Sequence, residues 1–270
     1  MKIFFTIPLL LIALSSAAQP EDWDNYVMAV NGKPVSVVVN LALRDQALSK
    51  ARPYAIILRL TYPEMDEKGF PAPELADELN QLESELDATL RDKNGAWYAG
   101  RFTQRGLREF YFYALDTLDY LGSCAAVLRR HPRFPFLVKA VTDRNWSHYF
   151  EVLYPRDEEK EKMENRKTVE QLEHKGDNLS SSRPIDHTLY FRSDWHRRAF
   201  LKEFDLNGFQ VTEMPVEKIA DREGPAFKLV MQRIDKPMLS VMNDLTIRMS
   251  KAARKHEGVY EGWSTYVVGK

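Results

Sequence analysis

The chain is short of the residues that most often announce a chemistry. It has one cysteine, Cys124, in 270 residues. No intramolecular disulfide can form, and no cysteine-based metal set can be built. Cys124 falls at an apolar position of a predicted helix and reads as a small buried hydrophobe. An excess of either charge is also missing. Lys and Arg total 38 against 39 Asp and Glu, for a formal net charge of -1. That balance excludes an overall basic field for nucleic acid and the acidic surplus of a disordered tail. There is no Gly-x-Ser-x-Gly elbow, no Gly-x-x-x-x-Gly-Lys loop and no His-Glu-x-x-His. Each of those chemistries needs residues preset at fixed spacing, so no cofactor is implied.

What the chain does have is a core and a leader. Apolar residues make up 44% and aromatics 11%, and the length suits two domains better than one. Lys2 opens the sequence, and Ile3 to Leu14 is an almost unbroken apolar run. The run is shorter than the ~20 residues that span a bilayer. Ser16-Ala17-Ala18 then offers small side chains before a cut. These features predict a signal peptide over residues 1–18, cleaved after Ala18, and a periplasmic or secreted product beginning at Gln19. A short leader ending Ala-Gln resembles those of Bacteroidetes-type bacteria. No later apolar segment reaches membrane length, so no span is expected after cleavage.

One linker stands out. Arg156 to Lys167 (RDEEKEKMENRK) is charged at ten of twelve positions. It shows no apolar stripe, and Glu158 precedes Lys162 by four residues, so a solvated bridging helix is expected. This divides the chain into a domain over 19–155, a helical linker over 156–175 and a domain over 176–270.

Before the linker, Val35–Leu43 and Tyr54–Tyr62 read as strands. Leu75, Leu79, Leu82, Leu86 and Leu90 make one face of a helix that Asn94-Gly95 ends. Trp97–Thr103 and Glu109–Leu115 form a hairpin around Arg105-Gly106. A helix capped by Asp116 or Thr117 presents Leu121, Cys124 and Leu128, and Pro132 stops it. Phe136–Val141 and Ser147–Tyr154 read as strands. After the linker, His187–Arg192, Phe209–Val216, Phe227–Ile234 and Val259–Val268 read as strands, the middle two flanking a polar turn at Asp221 to Gly224. Ser193 or Asp194 caps a helix ending at Asn207-Gly208, and Met238, Met242, Leu245, Met249 and Ala252 line a second. Both halves therefore follow a βαββαβ order. The expected class is α+β: two tandem ferredoxin-like domains, with mostly antiparallel sheets and helices on one face.

Two polar clusters are candidate sites. The first is His174, Asp177, Arg183, Asp186 and His187, with His196 nine residues on. Asp177, His187 and His196 could in principle act as metal ligands or as an acid/base set. Asp186 and His187 are strand neighbours and point to opposite faces. The second is Tyr260-Glu261-Gly262-Trp263-Ser264-Thr265-Tyr266. Strict alternation would put Tyr260 and Gly262 on one face and Glu261 and Trp263 on the other, with Trp263 a possible docking anchor. An RNA-recognition reading shares the strand order. Its key strand would fall on Arg105 to Phe112, where Leu107, Arg108 and Glu109 break the stacking platform.

The stretch from Gly176-Asp177 through Arg183-Pro184-Ile185-Asp186-His187 to Tyr260–Tyr266 resembles the family of the bacterial regulator of ribonuclease E activity, B type. That family closes with Tyr-Asp-Gly-Trp-x-Thr-Tyr, and Glu261 stands here for the Asp. The first half is similar to domain-of-unknown-function family 695 at Arg52-Pro53-Tyr54, Tyr98-Ala99-Gly100-Arg101 and Trp146-Ser147-His148-Tyr149-Phe150. The first resemblance implies a ferredoxin-like domain that binds another protein and lowers its activity without doing chemistry; the second implies no activity. The regulator's target is cytoplasmic, which conflicts with a leader, so fold and role carry over and the target does not. The resulting expectation is an exported, non-catalytic binding or regulatory protein with a protein partner, binding residues Asp177, Arg183, Asp186, His187, Tyr260, Glu261 and Trp263, and no nucleic acid. The rivals are a metal-dependent hydrolase using Asp177, His187 and His196, and a structural envelope component assembling through sheet edges.

Overall fold

The structure is a computed structural model that describes residues 19–49, 51–219 and 222–269. The leader expected over 1–18, and Asp221 of the expected polar turn, lie outside the described residues. The chain divides into two compact units, Met1–Tyr154 and Pro155–Lys270.

Unit 1 contains β1 (Trp23–Val30), β2 (Lys33–Asn40), α1 (Leu43–Ser49), β3 (Tyr54–Thr61), α2 (Pro73–Asn94), β4 (Trp97–Gln104), β5 (Leu107–Ala114), α3 (Tyr120–Leu128) and β6 (Phe136–Thr142). The six strands pair in the order β1-β2-β4-β5-β3-β6, and every pairing is antiparallel. Strands β3 to β6 with α2 and α3 are the βαββαβ core, and the β1-β2 hairpin widens it. That hairpin turns on Asn31-Gly32, both left-handed (φ 50° and 71°), as an Asn-Gly turn between two strands favours.

The leucine face of α2 is fully buried. It packs with Ile56, Leu58 and Leu60 of β3, Phe110 and Phe112 of β5, and Cys124 and Leu128 of α3. Burial pushes the Cys124 thiol up to about 12, so it is an inert core residue. Leu121 is 55% exposed, and the buried face of α3 is Ser123, Cys124, Val127 and Leu128 instead. Neither Asp116 nor Thr117 caps this helix. Asp119 stands at its N-cap, and Asp116 instead accepts from the Leu118 amide at 2.9 Å.

The opposite face of the same sheet is covered too, by a segment expected to be a strand. Ser147–Tyr154 contains a π-helical turn, Tyr149–Leu153. The cause lies in Asp143. Its carboxylate accepts from the Ser147 amide (2.8 Å), the His148 amide (3.0 Å), the His148 ring (2.9 Å) and the Tyr113 hydroxyl (2.8 Å). Gathering those donors turns the chain back on itself, with Trp146 left-handed at φ 54°. Trp146 then stacks on Tyr113 with ring centroids 3.7 Å apart. Tyr149 donates to the Asn40 carbonyl, and Tyr26 donates to the Leu153 carbonyl at 3.0 Å.

In β4 the register shifts between Tyr98 and Gly100. Gly100 has φ 146°, and a Cβ there would run into the Val38 carbonyl. Only glycine lets β2 approach so closely.

Unit 2 contains α4 (Asp157–His174), β7 (Arg183–Phe191), α5 (Asp194–Glu203), β8 (Phe209–Glu213), β9 (Phe227–Asp235), α6 (Leu239–Lys255) and β10 (Gly258–Ser264). Its strands pair antiparallel in the order β10-β7-β9-β8. Ser193 caps α5 by accepting from the His196 amide. That helix ends at Glu203, before Asn207-Gly208. In α6 the buried face is Met242, Leu245, Thr246, Met249, Ser250 and Ala253, whereas Met238 is 40% exposed.

The charged segment 156–167 is not a solvated bridge. It forms most of α4, which buries Met163, Asn165, Val169 and Leu172 within unit 2. The apolar stripe continues beyond the charged window, through Val169 and Leu172, so the window alone hides it. Among the described residues no helix is long and apolar enough to cross a membrane.

Candidate functional site

Strand β7 alternates strictly. Arg183, Ile185, His187, Leu189 and Phe191 are buried, and Pro184, Asp186, Thr188 and Tyr190 are half-buried. Ile185, Leu189 and Phe191 share a core with residues of α4, α5 and α6. The second set faces away from those helices. This alternation sorts the expected site residues into scaffold and surface.

Most of them are scaffold. Asp177 and Arg183 form a buried ion pair in which one guanidinium nitrogen, Nη2, donates to both carboxylate oxygens at 2.7 Å, with side chains 0% and 1% exposed. Asp177 also accepts from the Val268 amide at 2.9 Å, and Arg183 donates to the carbonyls of Asn178 and Ser181. The pair pins the segment after β10 against the start of β7. His187 is fully buried, with Nδ1 2.8 Å from the Tyr260 hydroxyl and its ring against Phe209. Burial, with the Arg233 charge behind it, holds this imidazole down to about 3. It is therefore neutral at ordinary pH, the hydroxyl hydrogen bond fills one ring nitrogen, and among the described residues Nε2 has no hydrogen-bond partner.

Trp263 is a core residue and not a surface anchor. The register between β10 and β7 shifts between Tyr260 and Gly262, where Gly262 has φ 143°. The bulge breaks the alternation expected for this strand, so Tyr260 and Trp263 both reach the helix side. The Trp263 indole N–H donates to Asn165 Oδ1 at 2.8 Å. Asn165 in turn donates to Asn243 at 2.9 Å and to Thr246 at 2.7 Å. This amide was not singled out from the sequence, because a lone Asn inside a charged run looks solvated. It ties α4 to α6 and β10 through a buried polar network, an arrangement that is costly to leave half-made.

The metal or acid/base set does not assemble. His187 lies within the core face of β7. His196 lies beyond the end of that strand, with Nδ1 2.8 Å from Ser193 Oγ and Nε2 3.5 Å from Glu257. Asp177 is taken by Arg183 at the other end, and His174 is exposed at the end of α4. A strand rises ~3.3 Å per residue, which keeps these groups well apart. Among the described residues no group of three His, Cys, Asp or Glu is placed to hold a metal ion.

The remaining expected residues, Asp186 and Glu261, stand on the open face of the sheet. Asp186 accepts from Gln232 at 2.8 Å. Glu261 pairs with Arg222 at 2.8 Å, and that guanidinium lies 3.7 Å above the Tyr190 ring. Lys228 and Glu213 pair at 2.8 Å, and Ile234, toward the other end of β9, is 69% exposed. A concavity of about 390 Å³ is lined by Gly208, Gln210, Gln232, Arg233 and Ile234. The face thus combines an aromatic–arginine–glutamate stack, an exposed isoleucine and satisfied polar groups. Such a surface suits contact with another macromolecule.

Architecture and surface together define a pair of ferredoxin-like modules, the second with a sheet face that no helix of its own unit covers. Residues 21–154 match the model of a family of unknown function, DUF695. Residues 162–265 match the model of the regulator of ribonuclease activity B, a span that opens within α4. No curated protein matches the chain.

Proposed function

We propose that the protein is an exported, non-catalytic binding or regulatory protein that engages a protein partner through the open face of unit 2. The observation that carries the reading is this face itself, where Tyr190, Arg222, Glu261, Asp186, Gln232 and Ile234 are displayed with no helix of the unit over them. The match of this unit to a regulator family supports a binding role. Export rests on Lys2, the apolar run to Leu14 and the small residues before Gln19. An exported chain would meet a partner outside the cytoplasm.

Two measurements test it. Mass analysis of the chain recovered from cell fractions is expected to find Gln19 as the first residue, in the envelope or medium; Met1 retained in the cytoplasm would sink the export reading. Cross-linking in envelope extract is expected to yield one adduct that disappears in Ile234→Asp and Arg222→Glu, with the circular dichroism spectrum preserved. An adduct indifferent to both changes would move the partner site elsewhere.

A further inference from the structure

The sheet of unit 1 ends on a strand whose outer edge is bare. β6 pairs with β3 alone. The Asp143 amide donates to the Pro53 carbonyl at 2.7 Å, and the Pro135 carbonyl accepts from Thr61 at 3.0 Å. Both bonds run toward the β3 side and both come from odd-numbered positions flanking β6. The backbone of a strand alternates with a period of two. Phe136, Val138, Ala140 and Thr142 therefore aim their N–H and C=O groups away from the sheet. Among the described residues, no strand and no backbone group pairs with them.

The side chains make this edge adhesive. Phe136 is 50% and Leu137 60% exposed, while Val138 and Ala140 pack on the helix-side core. An apolar edge with free backbone groups is a template for one more strand. Native edges are usually blunted by bulges, prolines or several charges. Within β6 the register to β3 is regular, there is no proline, and Lys139 is the single charged residue.

Lys139 decides what can pair here. A second copy docking antiparallel must match its own outward-facing residues to these. The register of greatest overlap sets Phe136 against Thr142 and Val138 against Ala140. It then sets Lys139 directly against Lys139, in the non-hydrogen-bonded position where Cα atoms are only about 4.5 Å apart. Like charges placed so are repulsive. A carboxylate in that place is attractive, and β6 itself carries none. We infer that β6 is a docking edge for an extended segment of another protein, apolar on either side of an Asp or Glu that sits opposite Lys139.

The probe is a labelled peptide, acetyl-Thr-Val-Thr-Glu-Val-Tyr-Thr-amide, titrated into the full chain and followed by fluorescence anisotropy. Its twin carries Lys in place of Glu. The Glu peptide is expected to bind about tenfold tighter than the Lys peptide, the gap between an opposite-charge and a like-charge cross-strand pair. Methylating the amides of its third and fifth residues, which would face β6, should abolish binding. Methylating the second and sixth should not. Lys139→Glu should reverse the preference while the thermal melt stays unchanged. Equal binding of the two peptides, no saturable binding of either, or insensitivity to amide methylation would overturn the inference. A doubled solution mass relieved by Val138→Pro would also overturn it, by showing that a second copy takes the edge.

Discussion

Unit 1 and unit 2 carry the same βαββαβ core, yet the sheet of one is covered on both faces and that of the other on one. The difference is written in their central strands. In β5 of unit 1, Phe110 and Phe112 face α2 and α3, while Tyr111 and Tyr113 face the side closed by Trp146 and Tyr149; all four are buried. In β7 of unit 2, each buried residue is followed by a half-exposed one. A strand that is bulky at every position is sheltered twice, and one that alternates is sheltered once. The second unit has a sheet face with no helix of its own over it. Its one covered face is packed by α4, α5 and α6, and buried polar ties such as Asn165–Trp263 and Asp177–Arg183 stand where unit 1 has a second apolar layer.

That contrast can be broken by striking the ties. Asp177→Ala would leave the Arg183 guanidinium buried without its carboxylate. We expect unit 2 to lose about 3–5 kcal/mol, seen in calorimetry as a lowered transition for this unit while that of unit 1 holds. Acid should act on unit 2 through His187. Its folded value near 3 lies below the usual 6.5, so the unfolded chain takes up the proton first. The stability this group confers is complete above pH 6.5 and drains away as pH falls toward 3. Between pH 7 and 5 the loss should be about 2 kcal/mol. His187→Gln, which can still meet the Tyr260 hydroxyl, should flatten that slope in denaturant titrations; an unchanged slope would show the proton goes elsewhere.

Asn165→Ala should cost about 1–3 kcal/mol, because the Trp263 indole N–H then has no acceptor. The readout is the urea midpoint of unit 2. At the small end, Ile234→Ala on the open face should shift the same midpoint by no more than about 0.5 kcal/mol. If it shifts much more, the face is not free and the comparison with unit 1 fails.

The regular parts of both units were legible in the chain because they repeat. The leucines of α2 and the methionines of α6 keep helical spacing, and β3 and β9 are rich in strand-forming residues; β7 starts at Arg183 and not at the expected His187, because Pro184 and Asp186 mask its first half. What escaped depended on single contacts at a distance. Trp23–Val30 mixes polar and apolar residues, and only the Asn31-Gly32 turn marks its hairpin. The apolar run from Val35 continues in sequence to Leu43, but β2 ends at Asn40 and a turn leads to α1 at Leu43. The π-helical turn follows from Asp143 collecting four donors, which no periodicity reports. Trp263 looked external because alternation cannot foresee a bulge at Gly262. The expected site thus separated into scaffold, namely Asp177, Arg183, His187, Tyr260 and Trp263, and surface, namely Asp186 and Glu261.

One bond in unit 1 has a topological consequence. The Tyr26 hydroxyl reaches the Leu153 carbonyl at 3.0 Å across 127 positions, so the polypeptide enters and leaves this module at neighbouring points. A circular permutant follows directly: the two ends bridged by a short tether, and new termini opened at the exposed Glu67-Lys68 turn. Loop tips of that kind tolerate such cuts, and every strand pairing would survive the rearrangement.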